Sequence, residues 1–213
     1  MRTTVKPTMN RLLSTASLCA TLLLAGCSTG KAPGNTTFDF GPAAPAISAA
    51  PAAPGALGAV VVTDVTGSAA LDSERMYYRL NYADPLQARS YSQSRWSATP
   101  LQLVSQRLKT RLAQAGTKVL TTTDASAGVA ILRTEIDDFT HSFDSQTQSH
   151  GQLVLRASLF DGHKLIDQKI FSRKMPAPSA DAAGGAAALA AATDAVAADI
   201  VAWLAALPSL RKQ

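Results

Sequence analysis

The sequence feature that most constrains this chain is a short stretch near its start, Leu22–Cys27, which reads LLLAGC. An apolar run from Leu12 to Leu24 leads into it, and the small pair Ala25 and Gly26 stands directly before the cysteine. Three basic residues precede the run: Arg2, Lys6 and Arg11. The run is shorter than the roughly 20 apolar residues that a membrane-spanning helix needs, so the pattern predicts a cleaved leader over residues 1–26.

The leader resembles a bacterial lipoprotein signal. This resemblance implies cleavage after Gly26, with diacylglycerol on the sulfur of Cys27 and a fatty acyl group such as palmitate on its nitrogen. No other cofactor is predicted. At about 0.8 kcal/mol per buried methylene, several acyl chains hold a protein on a membrane that it does not span. Ser28 favours the periplasmic face of the outer membrane, because Asp at this position retains enterobacterial lipoproteins at the inner membrane; the inner membrane is the alternative.

Charge and cysteine content narrow the choice further. The formal net charge is +5, and it falls to +2 once the three basic leader residues are removed, which argues against a nucleic-acid partner. Of the two cysteines, Cys19 leaves with the leader and Cys27 carries lipid. The mature chain is therefore expected to contain no disulfide.

The mature chain divides into a tether, a domain and a short tail. Residues 27–56 are rich in Pro, Ala, Gly, Ser and Thr and predict a flexible tether, 57–208 a folded domain, and 209–213 a tail. Within the tether, Phe38 and Phe40 alternate with polar residues, so the segment 37–41 could pair as a short edge strand. The β-branched run 57–65 predicts a buried strand.

Two extended pieces and a helix follow. The segments 75–82 and 88–95 predict a hairpin on either side of Asp84 and Pro85, leading into Trp96. Thr99, Pro100 and Gln102 form a capping-box pattern, and Gly116 supplies a helix end. The apolar stripe of this helix consists of Leu101, Val104, Leu108, Leu112 and Ala115. Three basic residues on it are expected to face water: Arg107, Lys109 and Arg111.

The second half of the chain predicts a short strand at 117–121, then a three-stranded antiparallel meander over 128–143, 148–160 and 164–174, with a turn at Asp161-Gly162. A loop over 176–185 precedes a terminal helix that Pro208 ends, with a seam formed by Leu189, Thr193, Val196, Ile200, Trp203 and Leu207. The predicted fold class is α+β: a mixed, mainly antiparallel sheet packed by two amphipathic helices, in a two-layer α/β sandwich.

No catalytic or metal-binding motif is found. The sequence lacks a G-x-S-x-G elbow, a P-loop, a dinucleotide fingerprint and an H-E-x-x-H motif. The three histidines, His141, His150 and His163, are too widely spaced for one metal-binding face of a helix. We interpret them as ordinary polar residues of strands and turns. Asp137 and Asp138 are neighbours on a strand and should point to opposite faces. The chain is therefore not expected to be an enzyme.

An aromatic cluster is the strongest candidate for an interaction surface. Tyr77, Tyr82, Tyr91 and Arg95 are predicted to dock a partner, because Tyr and Arg bury large areas at interfaces at low entropic cost. The alternative for the neighbouring Tyr78 and Trp96 is core packing between hairpin and helix, which the sequence favours for Trp96.

The order of these features resembles the ABC-type transport auxiliary lipoprotein family, the PqiC-type lipoprotein that accompanies MCE-domain lipid transporters. Three motifs carry the resemblance: the Arg-x-Tyr-Tyr strand at 75–78, the Arg-Trp-x-x-x-Pro-Leu entry at 95–101, and the Ala-x-Ile-Val-x-Trp-Leu segment at 198–204. It covers residues 38–207.

The resemblance implies a non-enzymatic part in moving lipids or other hydrophobic molecules across the cell envelope. The implied partners are an MCE-domain protein and an ABC permease and ATPase, and a homo-oligomer is also possible. The alternative is a structural or assembly lipoprotein of a secretion or pilus apparatus, since small α+β domains on lipid tethers serve there too.

Overall fold

The structure is a computed structural model that describes residues 35–43, 58–124 and 128–210. The predicted leader, Gly26, Cys27 and most of the tether lie outside these residues. Two α-helices are present in this part of the chain, α1 (Pro100–Gln114) and α2 (Ala182–Ala206), with short 3-10 helices at Ala69–Leu71 and Pro208–Leu210. The strands are β1 (Thr36–Phe38), β2 (Ala59–Val62), β3 (Thr66–Gly67), β4 (Arg75–Leu80), β5 (Asp84–Trp96), β6 (Lys118–Leu120), β7 (Ala130–Phe143), β8 (Ser149–Asp161) and β9 (Lys164–Pro176).

These strands form one mixed sheet centred on β7, and with the two helices they confirm the α+β prediction. On one side of β7 lie β2, β3 and β4, each in a parallel pairing of two or three residues. On the other side, β8 and β9 continue the antiparallel meander, and each ladder runs over twelve residue pairs. The turn between β8 and β9 falls where predicted, with Gly162 at a φ of +56°. Strand β9 pairs with β8 alone, so its outer edge is free in the described sheet.

The core lies between one face of the sheet and the two helices. The four predicted inward residues of β8 are fully buried: Leu153, Leu155, Ala157 and Leu159. Thr99 and Gln102 form the predicted capping box of α1, and Pro100 occupies its first turn. The terminal seam on α2 is also confirmed, with Val196 and Ile200 fully buried. Trp96 is 2% exposed and packs against Phe40 and Phe139 in this core, as the core alternative predicted.

The prediction that the basic residues of α1 face water is wrong for Arg107 and Arg111. Arg107 is buried, and its Nη2 donates to the carbonyl oxygens of Phe40 and Gly41. Arg111 donates from Nε and Nη2 to the two carboxylate oxygens of Asp194 on α2, at 2.8 and 2.6 Å. The acceptors come from segments remote in the sequence, which helical periodicity alone does not reveal.

Strand β1 belongs to the sheet even though it precedes residue 57. Thr37 pairs with Arg95 in a parallel register, and Phe38 pairs with Trp96. The carbonyl oxygen of Phe38 accepts a hydrogen bond of 2.8 Å from the amide of Ser97. The alternation around Phe38 and Phe40 therefore predicts a real edge strand, but the strand covers Thr36–Phe38 rather than the expected 37–41.

Helix α2 begins earlier than the predicted loop allows. Asp181 is its N-cap and accepts the amide of Gly184 at 2.8 Å, so both Gly184 and Gly185 lie in the first turn. A Cβ on Gly185 would lie 2.3 Å from Nδ1 of His141. Gly185 thus serves close approach of the helix to the sheet, and Gly184 serves close approach to the backbone of Ser179. By length and composition α2 could cross a membrane, but half of its most apolar window is buried within the fold.

Candidate functional site

The hairpin of β4 and β5 is distorted at two places. The first distortion lies between the pairs Arg75–Arg95 and Tyr77–Ser90, where strand β5 has three residues more than β4. The second lies between the pairs Arg79–Ala88 and Leu80–Asp84, where β5 again has three extra residues. Bulges bend a strand away from its partner and are enriched beside functional sites. The hairpin therefore carries one irregularity near its open end and one near its tip.

The tip of the hairpin displays apolar side chains, from Tyr82 in the turn and from Leu86 in the bulge of β5. Tyr82 is 47% exposed and Leu86 is 89% exposed. Nη1 of Arg79 donates to the carbonyl oxygen of Pro85 at 3.2 Å, and the amide of Leu86 donates to Oδ1 of Asp84 at 2.9 Å. These hydrogen bonds fix the backbone conformation at Pro85 and Leu86, while the side chains of Tyr82 and Leu86 face solvent.

The bulge near the open end helps to form a cleft of about 370 Å³, here called the arginine cleft. Its lining includes Ser73, Glu74, Arg75, Tyr91, Ser94 and Arg95. The amide of Trp96 donates to the carbonyl oxygen of Glu74 at 2.8 Å. This bond flanks the pair of Arg75 and Arg95, which is therefore a non-hydrogen-bonded pair of the antiparallel ladder. In such a pair the two Cβ atoms lie about 4.5–5.5 Å apart on one face of the sheet.

Like charges in such a pair repel each other. Arg75 and Arg95 are exposed, and neither guanidinium makes a hydrogen bond or an ion pair with a residue in the described part of the chain. Other guanidiniums do find carboxylates: Arg111 with Asp194, and Arg173 with Asp199. The cleft therefore holds two positive charges that the described fold does not neutralise.

A buried polar cluster lies beside the cleft. The hydroxyl of Tyr91 lies 2.9 Å from Nδ1 of His141, and the Tyr91 ring packs at a tilt against Tyr78, with the ring centroids 4.6 Å apart. Burial raises the pKa of the Tyr91 hydroxyl, assisted by the charges of Tyr78 and Asp181. Burial also lowers the pKa of His141 to about 4, assisted by His150 and opposed by Asp181.

The three histidines lie on strands and in a turn, as predicted, but two of them are buried. His141 is fully buried and its Nε2 has no hydrogen-bond partner, while His150 is 4% exposed and its Nδ1 lies 2.9 Å from Oδ2 of Asp144. Only His163 is exposed. Packing of aromatic side chains around a strand position, which no local motif signals, explains the burial of His141. Across residues 35–43, 58–124 and 128–210, no group of three or more His, Cys, Asp or Glu side chains lies together.

The structure separates the four predicted docking residues into three places. Tyr91 and Arg95 line the arginine cleft, Tyr82 lies in the turn at the hairpin tip, and Tyr77 is half-buried midway along β4. The two ends of β4 are about 17 Å apart at 3.3 Å per residue. Sequence reasoning missed Arg75 and Leu86, although a lone Leu between Pro85 and Gln87 is a signal of an apolar tip.

Another cleft, of about 400 Å³, lies between α1 and the loop after β2. Its one cation is paired, because Nζ of Lys109 lies 2.7 Å from Oδ1 of Asp64, while the exposed Asp72 also lines the cleft. The bond to Lys109 lowers the pKa of the Asp64 carboxyl, with a smaller effect from Ser105. This cleft holds no neighbouring pair of unpaired cations of the kind that Arg75 and Arg95 form.

Comparison with known proteins completes the description of the chain. A family model described as "ABC-type transport auxiliary lipoprotein component" matches residues 38–201. The crystal structure of a Xanthomonas campestris protein of the DUF330 family superposes with a TM-score of 0.63 at 17% identity, covering 81% of this chain and 91% of that one. A second crystal structure, of an uncharacterised protein, gives 0.63 at 13% identity, covering 80% and 99%. No curated protein matches. At these identities the structures show a shared fold.

Proposed function

The chain belongs to the ABC-type transport auxiliary lipoprotein family, and from this membership we propose that it is a non-enzymatic adaptor in a system that moves lipids or hydrophobic molecules across the cell envelope. A lipoprotein family of this kind implies anchoring in the envelope. In our proposal the anchor is diacylglycerol and an acyl group on Cys27, and the domain faces the periplasm from the outer membrane. The partner is an MCE-domain protein or the permease and ATPase it works with.

The exposed tip of the β4–β5 hairpin is the observation that carries the docking role. Tyr82 and Leu86 are two of the four large apolar side chains that are exposed in the described fold. An apolar anchor that enters a pocket of a partner, with polar residues around it, is the usual centre of binding energy in an interface. Arg79 and Asp84 fix the backbone here, so little ordering is needed on binding.

Affinity capture tests the docking role. The lipidated full-length protein is recovered from detergent-solubilised envelopes, and proteins bound to it are identified by mass spectrometry. We expect transporter subunits with the native protein and their loss with the double variant Tyr82→Ser, Leu86→Ser. The matched control is Leu165→Ser, which removes a side chain of similar exposure, 48%, from β9.

Two results would overturn the proposal. If no MCE, permease or ATPase subunit is recovered with the native protein, the transport role fails. If secretin or pilin components are recovered instead, the chain is an assembly lipoprotein of a secretion or pilus apparatus. The anchor is tested separately, by metabolic labelling with a fatty-acid probe and by Cys27→Ser, which should remove both the label and the membrane fractionation.

A further inference from the structure

We propose that the arginine cleft binds a phosphate group that carries a nearby ammonium group, the chemistry of a phosphoethanolamine headgroup. The site lies at the open end of the hairpin, away from the tip that docks a partner. This inference deepens the proposed function by naming a ligand class for the same hairpin, and its test uses small ligands rather than partner proteins.

The phosphate half of the ligand is recognised by Arg75 and Arg95. Their Cβ atoms lie about 4.5–5.5 Å apart, so both guanidinium groups can reach one phosphate with parallel N–H donors. Both side chains lack a hydrogen bond or ion pair within the described residues. Binding an anion between them replaces repulsion of two like charges with attraction.

The ammonium half is recognised by Glu74. This residue lines the same cleft, is exposed, and forms no ion pair in the described fold. A simple anion would meet its negative charge unfavourably. A ligand with a positive group two carbons from the phosphate offers each charge in the cleft an opposite one, which discriminates it from an anion alone.

The cleft also suits a headgroup in size and polarity. At about 370 Å³ it lies at the small end of the range for ligand sites. Ser73, Ser92 and Ser94 line it and supply hydroxyl groups that can donate to phosphate oxygens. The bulge in β5 opens this space, since regular pairing of β5 with β4 from Arg75 to Tyr77 would close it.

A titration followed by ³¹P NMR line broadening tests the site on the full chain in detergent. The three probes are phosphoethanolamine, glycerol phosphate and inorganic phosphate. We expect phosphoethanolamine to bind most tightly, and Arg75→Gln to weaken it by about tenfold or more, the effect of losing a charge-assisted hydrogen bond. Glu74→Gln should bring the three affinities to within about twofold of one another. Arg89→Gln, which changes an exposed hairpin arginine bonded to Gln87, is the matched control and should leave binding unchanged.

The source of the headgroup is distinguished by adding dihexanoyl phosphatidylethanolamine below its micelle concentration. Tighter binding than the free headgroup identifies a lipid ligand, and equal binding identifies a soluble phosphoethanolamine compound; both support the site. Equal affinity of the native protein for all three probes overturns the proposal, as does binding that Arg75→Gln leaves intact. Because capture of transporter subunits is a separate measurement, either proposal can fail while the other stands.

Discussion

Tyr91 on β5 and His141 on β7 are joined by a hydrogen bond of 2.9 Å between the Tyr hydroxyl and Nδ1, although fifty residues separate them in the chain. His141 also lies directly beneath Gly185 in the first turn of α2. One buried imidazole therefore links a wall of the arginine cleft to the start of the terminal helix. Several properties of the fold depend on this contact.

The first prediction concerns pH. His141 has a folded-state pKa of about 4, below its ordinary value of 6.5, so the unfolded chain binds a proton before the folded protein does. Stability is therefore complete above pH 6.5 and is lost as the pH falls toward 4, by up to about 3 kcal/mol. The pKa of His150 is also lowered by burial and acts in the same direction. Urea unfolding at pH 7.5, 6 and 5 measures the effect.

The His141→Gln variant should lose part of this pH dependence and show a flatter slope between pH 7.5 and 5. His163→Gln, at an exposed turn, is the control and should keep the native slope. The lowered pKa values of carboxyls such as Asp64 and Asp181 act only at lower pH, since they start from 3.8. An unchanged slope in His141→Gln would contradict the prediction.

The second prediction concerns Gly185→Ala. Helix propensity alone would make this change stabilising by about 1 kcal/mol. The new Cβ, however, would lie 2.3 Å from Nδ1 of His141, closer than real contacts allow. We expect a net loss of about 1–3 kcal/mol in the free energy of unfolding. Ala187→Gly, at an exposed position of the same helix, should instead follow propensity and cost about 1 kcal/mol.

The third prediction compares two ion pairs. Asp194 accepts both donors of Arg111 between α1 and α2, with Arg111 16% exposed, whereas Asp137 pairs with the more exposed Arg156 on the sheet. We expect Asp194→Asn to lower the free energy of unfolding by about 1–3 kcal/mol and Asp137→Asn by less than about 1 kcal/mol. Thermal or urea unfolding of the two variants measures the difference, and equal losses would contradict it.

The fourth prediction concerns the attachment of β1. Arg107 holds the carbonyl oxygens of Phe40 and Gly41, just beyond this strand. In Arg107→Met these bonds are lost, so β1 should open more often. Hydrogen exchange at the amide of Ser97, which donates to Phe38, should then rise by about tenfold or more. Lys118→Met, an exposed change on β6, should leave this amide protected.

Sequence patterns predict the parts of this fold whose determinants are local. The capping box at Thr99, the Asp161-Gly162 turn and the alternation along β8 each depend on residues a few positions apart, and each appears in the structure. The burial of Arg107 and His141 depends on partners that are about fifty or more residues away. No periodicity within one segment encodes such contacts.

The candidate site follows the same division. Clustering of Tyr and Arg at 77–95 indicated an interaction surface, and two of its four predicted residues, Tyr91 and Arg95, line one cleft. The two bulges that separate the cleft from the tip were not predicted, because a register shift depends on how β5 matches β4. The pairing of Arg75 with Arg95 depends on this register, so no pattern within either strand alone predicts it.

The free edge of β9 offers a place where a further strand can pair with the sheet. Along its thirteen residues the backbone groups that point away from β8 have no strand partner in the described sheet, while the outermost strands on the far side, β1 and β6, are three residues long. An added strand, whether from another copy or from a different protein, would find a thirteen-residue template here. Such an extension would leave the hairpin tip uncovered, so growth of the sheet at β9 and binding at Tyr82 and Leu86 would use separate surfaces.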